Sequence, residues 1–185
     1  MSSEKTTINR RQFLSLSALT LASGLMLPKT GFSSLSTAKP KILTIKNLNT
    51  LESLTVNLGA TNTVNNKQLS QLSHLFRDHR SNQTKTIDVG LFDQLLRLQL
   101  MLNIQLPITL ISGYRAPVSN NSMRTKKSGV AKNSYHTKGK AMDFRIEGVA
   151  LNEIKDAMIA LNAGGVGYYP KNNFIHIDTG PVRTW

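Results

Sequence analysis

Apolar residues recur along this chain at two spacings. Leu69, Leu72, Leu75 and Phe76 stand three or four apart, as do Leu91, Leu95, Leu98 and Leu102, a set widened by Phe92 and Leu96. Such steps place side chains on one stripe of an α-helix. They predict helices over Asn66–Arg80 and from an N-cap at Asp88 through Leu102, with Pro107 closing that region. A third set, Leu151, Ile154, Met158 and Leu161, predicts a helix over Val149–Leu161 that ends at Ala163-Gly164-Gly165. These stripes read as core and not as a cofactor box. Between them lie short runs rich in β-branched and aromatic residues: Ile42–Ile45, Ser53–Val56, Ile108–Ile111, Ala141–Ile146, Val166–Tyr169 and Phe174–Asp178. The first two flank Asn47-Leu48-Asn49-Thr50 and the last two flank Pro170-Lys171-Asn172-Asn173, as hairpins would. Ser119–Lys127 reads as a polar, partly helical excursion. The pattern predicts an α+β fold, with helices packed on one face of a small, largely antiparallel sheet and a site on its open face.

Composition bounds this picture. With 185 residues and 39% hydrophobic content, the chain has room for one cored domain, placed at residues 42–185. Ahead of it, Lys5, Arg10 and Arg11 form a basic segment before the mostly apolar stretch Phe13–Leu27, which is short for a membrane span. Asn9-Arg10-Arg11-Gln12-Phe13-Leu14 resembles a twin-arginine export signal. Residues 1–33 are therefore expected to be a leader cleaved after Ser33, and residues 34–41, with Pro40, a short extended tether. An uncleaved anchor is the competing reading. No cysteine is present, which excludes a lipid-anchored cysteine, disulfides and a thiol nucleophile. The net charge of +13 falls to +10 once Lys5, Arg10, Arg11, Lys29 and Glu4 leave with the leader. Such a charge suits nucleic acid, an anionic membrane face or an acidic polymer, and export makes a carboxylate-bearing cell wall the natural polyanion and nucleic acid an unlikely one. No stable membrane insertion is expected after cleavage. The run Arg124-Thr125-Lys126-Lys127 is either a steering patch or an ordinary solvated loop.

The chemistry concentrates in Ser134-Tyr135-His136-Thr137-Lys138-Gly139-Lys140-Ala141-Met142-Asp143 and in His176 within Phe174-Ile175-His176-Ile177. Two imidazoles and a carboxylate suit Zn²⁺, whose catalytic sites keep three protein ligands and an open position. Gly139 permits a positive φ and Ala141 a close backbone approach, so the segment can fold back and bring His136 beside Asp143. Singly, each of these residues is better explained as structural. Together they favour a site, because the chain has four histidines and the other two, His74 and His79, lie in a polar helical pattern.

The pattern Ser134-x-His136-x-x-Gly139-x-Ala141-x-Asp143 followed by His176 resembles the metal signature of the LAS-type (M15-like) zinc peptidases. This family includes D-alanyl-D-alanine carboxypeptidases, dipeptidases and murein endopeptidases. Ile111-Ser112-Gly113-Tyr114-Arg115 resembles its Ser-Gly-Tyr-Arg element, and Gly165-Val166-Gly167-Tyr168-Tyr169 its strand before the last ligand. The resemblance implies the LAS/hedgehog-like fold and one zinc per chain on His136, Asp143 and His176. It also implies a periplasmic endopeptidase acting on peptide cross-links of peptidoglycan, including the LD type between two meso-diaminopimelate residues. A carboxypeptidase or DD-type peptidase of the same family stays open, as does a non-catalytic wall-binding module. Arg115 is the expected catalytic cation for developing charge, Tyr114 a packing or substrate residue, and Ser134 a loop-orienting or ligand-bonding residue. Where relatives commonly carry an acid three positions before the last histidine, this chain has Asn173. Asp178, on the same strand face as His176, is then expected either to take the proton or to orient a ligand, with Glu147 as a weaker candidate base. The sequence leaves the oligomeric state open.

Overall fold

The computed structural model describes residues 41–58, 63–126 and 129–185. The expected leader, the tether up to Pro40, and Lys127 of the basic run lie outside them. Among the described residues no helix is long and apolar enough to cross a membrane.

Among the described residues seven strands form one mixed sheet: β1 (Ile42–Asn47), β2 (Ser53–Asn57), β3 (Ile108–Ser112), β4 (Ala141–Ile146), β5 (Gly165–Tyr169), β6 (Phe174–Asp178) and β7 (Arg183–Thr184), in the order β2-β1-β3-β4-β6-β5-β7. Pairings β1–β2, β3–β4, β4–β6 and β5–β6 are antiparallel, while β1–β3 and β5–β7 are parallel. The α+β expectation and its hairpins therefore hold. The two-residue β7 escapes a period-two search because it is too short to alternate.

One sheet face is apolar. Leu43 and Ile45 of β1, Ile108 and Leu110 of β3, Met142 and Phe144 of β4, and Ile175 and Ile177 of β6 are fully buried there. They join a single core with α1 (Asn66–Leu75), α2 (Val89–Met101) and α4 (Leu151–Leu161). Asp88 caps α2 as its residue type predicts, its Oδ1 accepting from Gly90 N at 2.9 Å. The excursion after β3 is a helix, α3 (Pro117–Lys126).

Several boundaries differ from the expectation by a few residues, the helix expected from Val149 beginning at Leu151 among them, and three helix ends have a local reason or partner. The first helix ends at Leu75, not Arg80, because the next residues have partners elsewhere: the Arg77 guanidinium reaches Glu52 at 2.6 Å, and Asp78 turns inward to accept from Ala116 N at 2.8 Å. The helix starting at Leu151 stops at Asn162, which takes the left-handed conformation at φ 50°, so the following glycines are not its stop signal. Gly164 instead leaves room for the Asp178 carbonyl, with which a Cβ would collide. Third, α2 ends at Met101 with Leu102 as its C-cap, several residues before Pro107.

The opposite face carries the polar residues. In β4 the alternation turns Asp143 away from the core that Met142 and Phe144 face, and Asp143 lies directly opposite His176 of β6. Next to it, β3 skips Ile111, so Leu110 pairs with Phe144 and Ser112 with Asp143. The inserted residue re-aims Ser112 from the core side to the Asp143 side, a common use of a bulge. Ser112, Asp143, His176 and Gly167 thus form one row across four strands.

Candidate metal centre

His136 arrives from a 3₁₀ turn, Tyr135–Lys138. Ser134 caps the turn, its Oγ accepting from His136 N at 3.3 Å, so of the two roles expected for Ser134 the loop-orienting one is what its contacts describe. Gly139 closes the turn at φ 70° and donates its N–H to the His136 carbonyl. A Cβ at Gly139 would also meet the Thr86 carbonyl oxygen at 2.6 Å, so glycine is required there twice over. The His136 carbonyl takes a second bond from Arg115 N at 3.2 Å, tying the turn to the segment after β3.

The three donors meet in a small triangle. His136 Nε2 lies 3.2 Å from His176 Nδ1 and 3.2 Å from Asp143 Oδ1, and His176 Nδ1 lies 2.8 Å from Asp143 Oδ1. Donors on a tetrahedral ion with bonds of about 2.0–2.1 Å stand about 3.3 Å apart, so the set fits such an ion with little rearrangement. The outer nitrogens fix which lone pairs face inward. His136 Nδ1 is 2.8 Å from the Gly113 carbonyl, which only accepts, so Nδ1 carries the proton and Nε2 offers its lone pair to the centre. His176 Nε2 is 3.1 Å from Asp178 Oδ2, so it donates there and leaves Nδ1 for the centre. Holding the outer N–H of a metal histidine on a carbonyl or carboxylate orients the ring and raises its basicity. All three residues are buried.

Electrostatics agree with a cation-binding pocket. Burial works to raise the Asp143 carboxyl, but His136 and His176 beside it win and hold it far below the usual carboxylate range. Burial pushes the His176 imidazole down, and its bonds to Asp143 and Asp178 more than offset this, leaving it raised. The site thus stabilises positive charge where the donors converge.

Asp178 is fully buried. Besides His176, it accepts from Arg183 Nη1 at 3.0 Å and Nη2 at 2.6 Å, from Gly180 N at 2.8 Å and from Gly165 N at 3.2 Å. A carboxylate so engaged is held below its ordinary range: burial opposes ionisation, and the bonds from His176, Arg183 and Gly180 overcome it. Glu147 is exposed and bonded to Arg145 Nε at 2.7 Å. Asn173, three positions before His176, is exposed with φ 55°, a left-handed conformation that asparagine tolerates well.

Arg115 is buried at the rim of the triangle, with Nη2 4.0 Å from Asp143 Oδ2 and Nη1 3.3 Å from Asn120 Oδ1 of α3. Its buried Nε has no partner. Burial lowers its guanidinium pKa, with Asp143 and Asp78 working against that. Tyr114 is buried against the core, its N–H donating to the Phe76 carbonyl at 2.7 Å, which agrees with packing.

The sequence reading missed three residues. Asp78 accepts from Ala116 N at 2.8 Å and Arg80 N at 2.9 Å, fixing the segment that carries Arg115. Arg183 clamps Asp178, and Trp185 lies beside His176 with ring centroids 5.2 Å apart. A lone tryptophan three residues from the end of a polar turn and an arginine two before it were the available signals, but no periodicity links them to His176.

An α+β sheet that presents His, Asp and His from a turn and two paired strands, with an arginine at its rim, defines a metallopeptidase-like centre. A family model, Peptidase_M15_2, described as peptidoglycan L,D-endopeptidase MepK, matches residues 35–185. The chain is 50% identical over 182 residues to the peptidoglycan L,D-endopeptidase MepK of Escherichia coli strain K12, covering 98% of this chain and 100% of that protein. It is 45% identical over 178 residues to the probable peptidoglycan L,D-endopeptidase MepK of Haemophilus influenzae, covering 96% of this chain and 95% of that one. The chain belongs to this M15 peptidase family, whose members are metal-dependent. No solved structure matches it.

Proposed function

We propose that this protein is a zinc-dependent L,D-endopeptidase that hydrolyses peptide cross-links of peptidoglycan, including those between two meso-diaminopimelate residues. The observation that carries the reading is the donor triangle of 2.8 to 3.2 Å, with both outer imidazole nitrogens already fixed. His136 Nε2, His176 Nδ1 and Asp143 Oδ1 would hold the ion. Bound zinc supplies Lewis-acid polarisation of the scissile carbonyl and an acidified water near neutral pH.

The chain's own residues do the rest. Asp178 holds the outer proton of His176 and keeps that ring turned inward, so the orienting account of Asp178 is preferred over the proton-accepting one; its oxygens are shared among Arg183, Gly165, Gly180 and His176. Gly113 does the same for His136 through its carbonyl. Arg115 places a buried cation next to Asp143, where it stabilises negative charge developing on the carbonyl oxygen. With Asp178 engaged by His176 and Arg183, and Glu147 exposed and bonded to Arg145, the proton of the attacking water is assigned to solvent or to the substrate amine.

Residues 1–33 serve as a twin-arginine leader and 34–41 as a tether, which puts the enzyme in the periplasm, where its polymer lies. If Arg10→Lys with Arg11→Lys leaves periplasmic yield unchanged, general secretion carries the chain instead. The reaction is tested by digesting purified sacculi with zinc-loaded protein, with chelator, and with zinc restored, and reading the fragments by mass spectrometry. Loss of L,D cross-linked dimers that stops with chelator and resumes with zinc is expected. Release of bound protein with intact dimers would leave a wall-binding module.

A further inference from the structure

Among the aromatics of the polar face that the mechanism does not use, Trp185 lies against a metal ligand. Trp185 packs over Gly167, the β5 residue directly opposite His176. An added Cβ at Gly167 would meet the indole at 2.7 Å, so that glycine is the socket in which the ring sits. The indole centroid is 5.2 Å from that of His176, yet Trp185 remains 50% exposed. A half-exposed indole is ordinary when it swings in solvent. This one is fixed on three sides.

Its Nε1 donates to Tyr169 Oη at 2.6 Å. The Arg183 guanidinium stands 4.9 Å from the Trp185 ring and 5.1 Å from the Tyr135 ring, so one cation bridges two aromatics. That guanidinium is also the fork that grips Asp178, which holds the outer nitrogen of His176. The backbone fixes the same residue, with Trp185 N donating to Val166 O at 3.2 Å and Tyr168 N to Trp185 O at 3.0 Å. The free side of the indole is therefore held in register with a metal ligand through an unbroken chain of contacts.

We propose that Trp185 is the wall of a substrate subsite, on which the stem peptide of the cross-link lies beside the His176 edge of the centre. A rigid indole next to the reacting position offers apolar area to a peptide's methylene-bearing side chain at little ordering cost. Exposed Lys138 stands over the other end of the same ridge, 5.0 Å from the Tyr135 ring, and supplies a cation for a peptide carboxylate. The occupant is thus an anionic peptide with an aliphatic stem, in keeping with a diaminopimelate stem. This inference rests on the peptidase reading given above.

Trp185 is the chain's single tryptophan, so its emission reports the subsite directly. A synthetic meso-diaminopimelate-containing tetrapeptide titrated into the zinc-loaded wild-type protein should shift or quench that emission saturably. In cross-link digestion, Trp185→Ala should raise KM about 10- to 50-fold with kcat within about threefold, and Trp185→Phe should fall between, from the loss of buried aromatic area. Tyr168→Ala is the control: its side chain is on the other face of β5, near Lys155, and KM should not move. Unchanged emission together with an unchanged KM in Trp185→Ala overturns the subsite even if the wild type cuts cross-links normally. A saturable emission change in a wild type that cuts no cross-link leaves the subsite standing and sinks the peptidase reading instead. The wild-type titration needs no variant, so a Trp185→Ala chain that folds poorly does not shield the idea.

Discussion

The two halves of the metal centre are built by different means. Asp143 and His176 belong to β4 and β6, where they face each other across a ladder whose reverse side is core: Met142 pairs with Ile177 and Phe144 with Ile175, all fully buried. Their separation is a property of strand register, and a slip of β6 by one residue would turn Ile175 and Ile177 out of the core and His176 into it. His136 belongs to a four-residue turn held by a serine cap, a left-handed glycine and two carbonyl contacts. Each of those contacts is small. The strand half is therefore as firm as the core itself, while the turn half is firm only as the sum of local hydrogen bonds.

The largest test of this comparison is Asp143→Ala. With two donors left, zinc content should fall from about one per chain to near zero and cross-link hydrolysis should vanish. The core side of β4 is untouched, so far-UV circular dichroism should match that of the zinc-free parent. Full zinc by elemental analysis in this variant would remove Asp143 from the ligand set.

Arg115 bridges the halves, with its backbone on the His136 carbonyl and its guanidinium near Asp143. Arg115→Lys should cost about 10²- to 10³-fold in kcat, the scale of losing a preorganised donor to developing charge, because an ammonium lacks the planar fork. Zinc content should stay at the parent level. Near-normal turnover would confine Arg115 to holding the two halves together.

Asp178→Asn probes the support behind His176. It keeps the shape of the side chain but weakens the bond to Nε2 and the clamp of Arg183, so zinc affinity or activity should drop about 10- to 100-fold. Excess zinc should restore turnover. If activity stays low at saturating zinc, Asp178 handles the catalytic proton and the orienting account fails.

The smallest expected effect is in the turn. Ser134→Ala removes one cap bond to His136 N, a loss of about 1 kcal/mol by analogy with helix caps, seen as weaker zinc binding by several-fold with little change in thermal midpoint. A drop in the midpoint as large as a core substitution produces would mean that the turn is part of the cooperative core, and the contrast between the halves would collapse.

Much of this was legible in the sequence, for reasons that separate the two halves again. Met142, Phe144, Ile175 and Ile177 alternate with Asp143 and His176, so the strand half could be read from period two alone. Gly139 betrayed the turn because only a few residue types accept its backbone. Asp78 was hidden: an acid after an amphipathic stripe looks like a solvated helix end, and nothing local says that Ala116, 38 residues on, will use its oxygen. The same blindness lengthened α1 to Arg80. The bulge at Ile111 was likewise invisible, since Ile108 to Ile111 reads as one short β-rich run and only the pairing with β4 exposes the skipped residue. Arg183 and Trp185 were missed because β7 is two residues long and its partner, β5, is chosen by the fold and not by the pattern.

Because Asp143 and His176 are set opposite each other by a sheet whose other side is packed with leucine, isoleucine and phenylalanine, the order of events in the life of this protein follows. Small zinc modules fold only as the ion arrives, and their binding energy is their folding energy. Here apolar burial assembles most of the receptor beforehand, so the polypeptide can mature first, receive its ion afterwards, give it up to a competitor and take it back without coming apart.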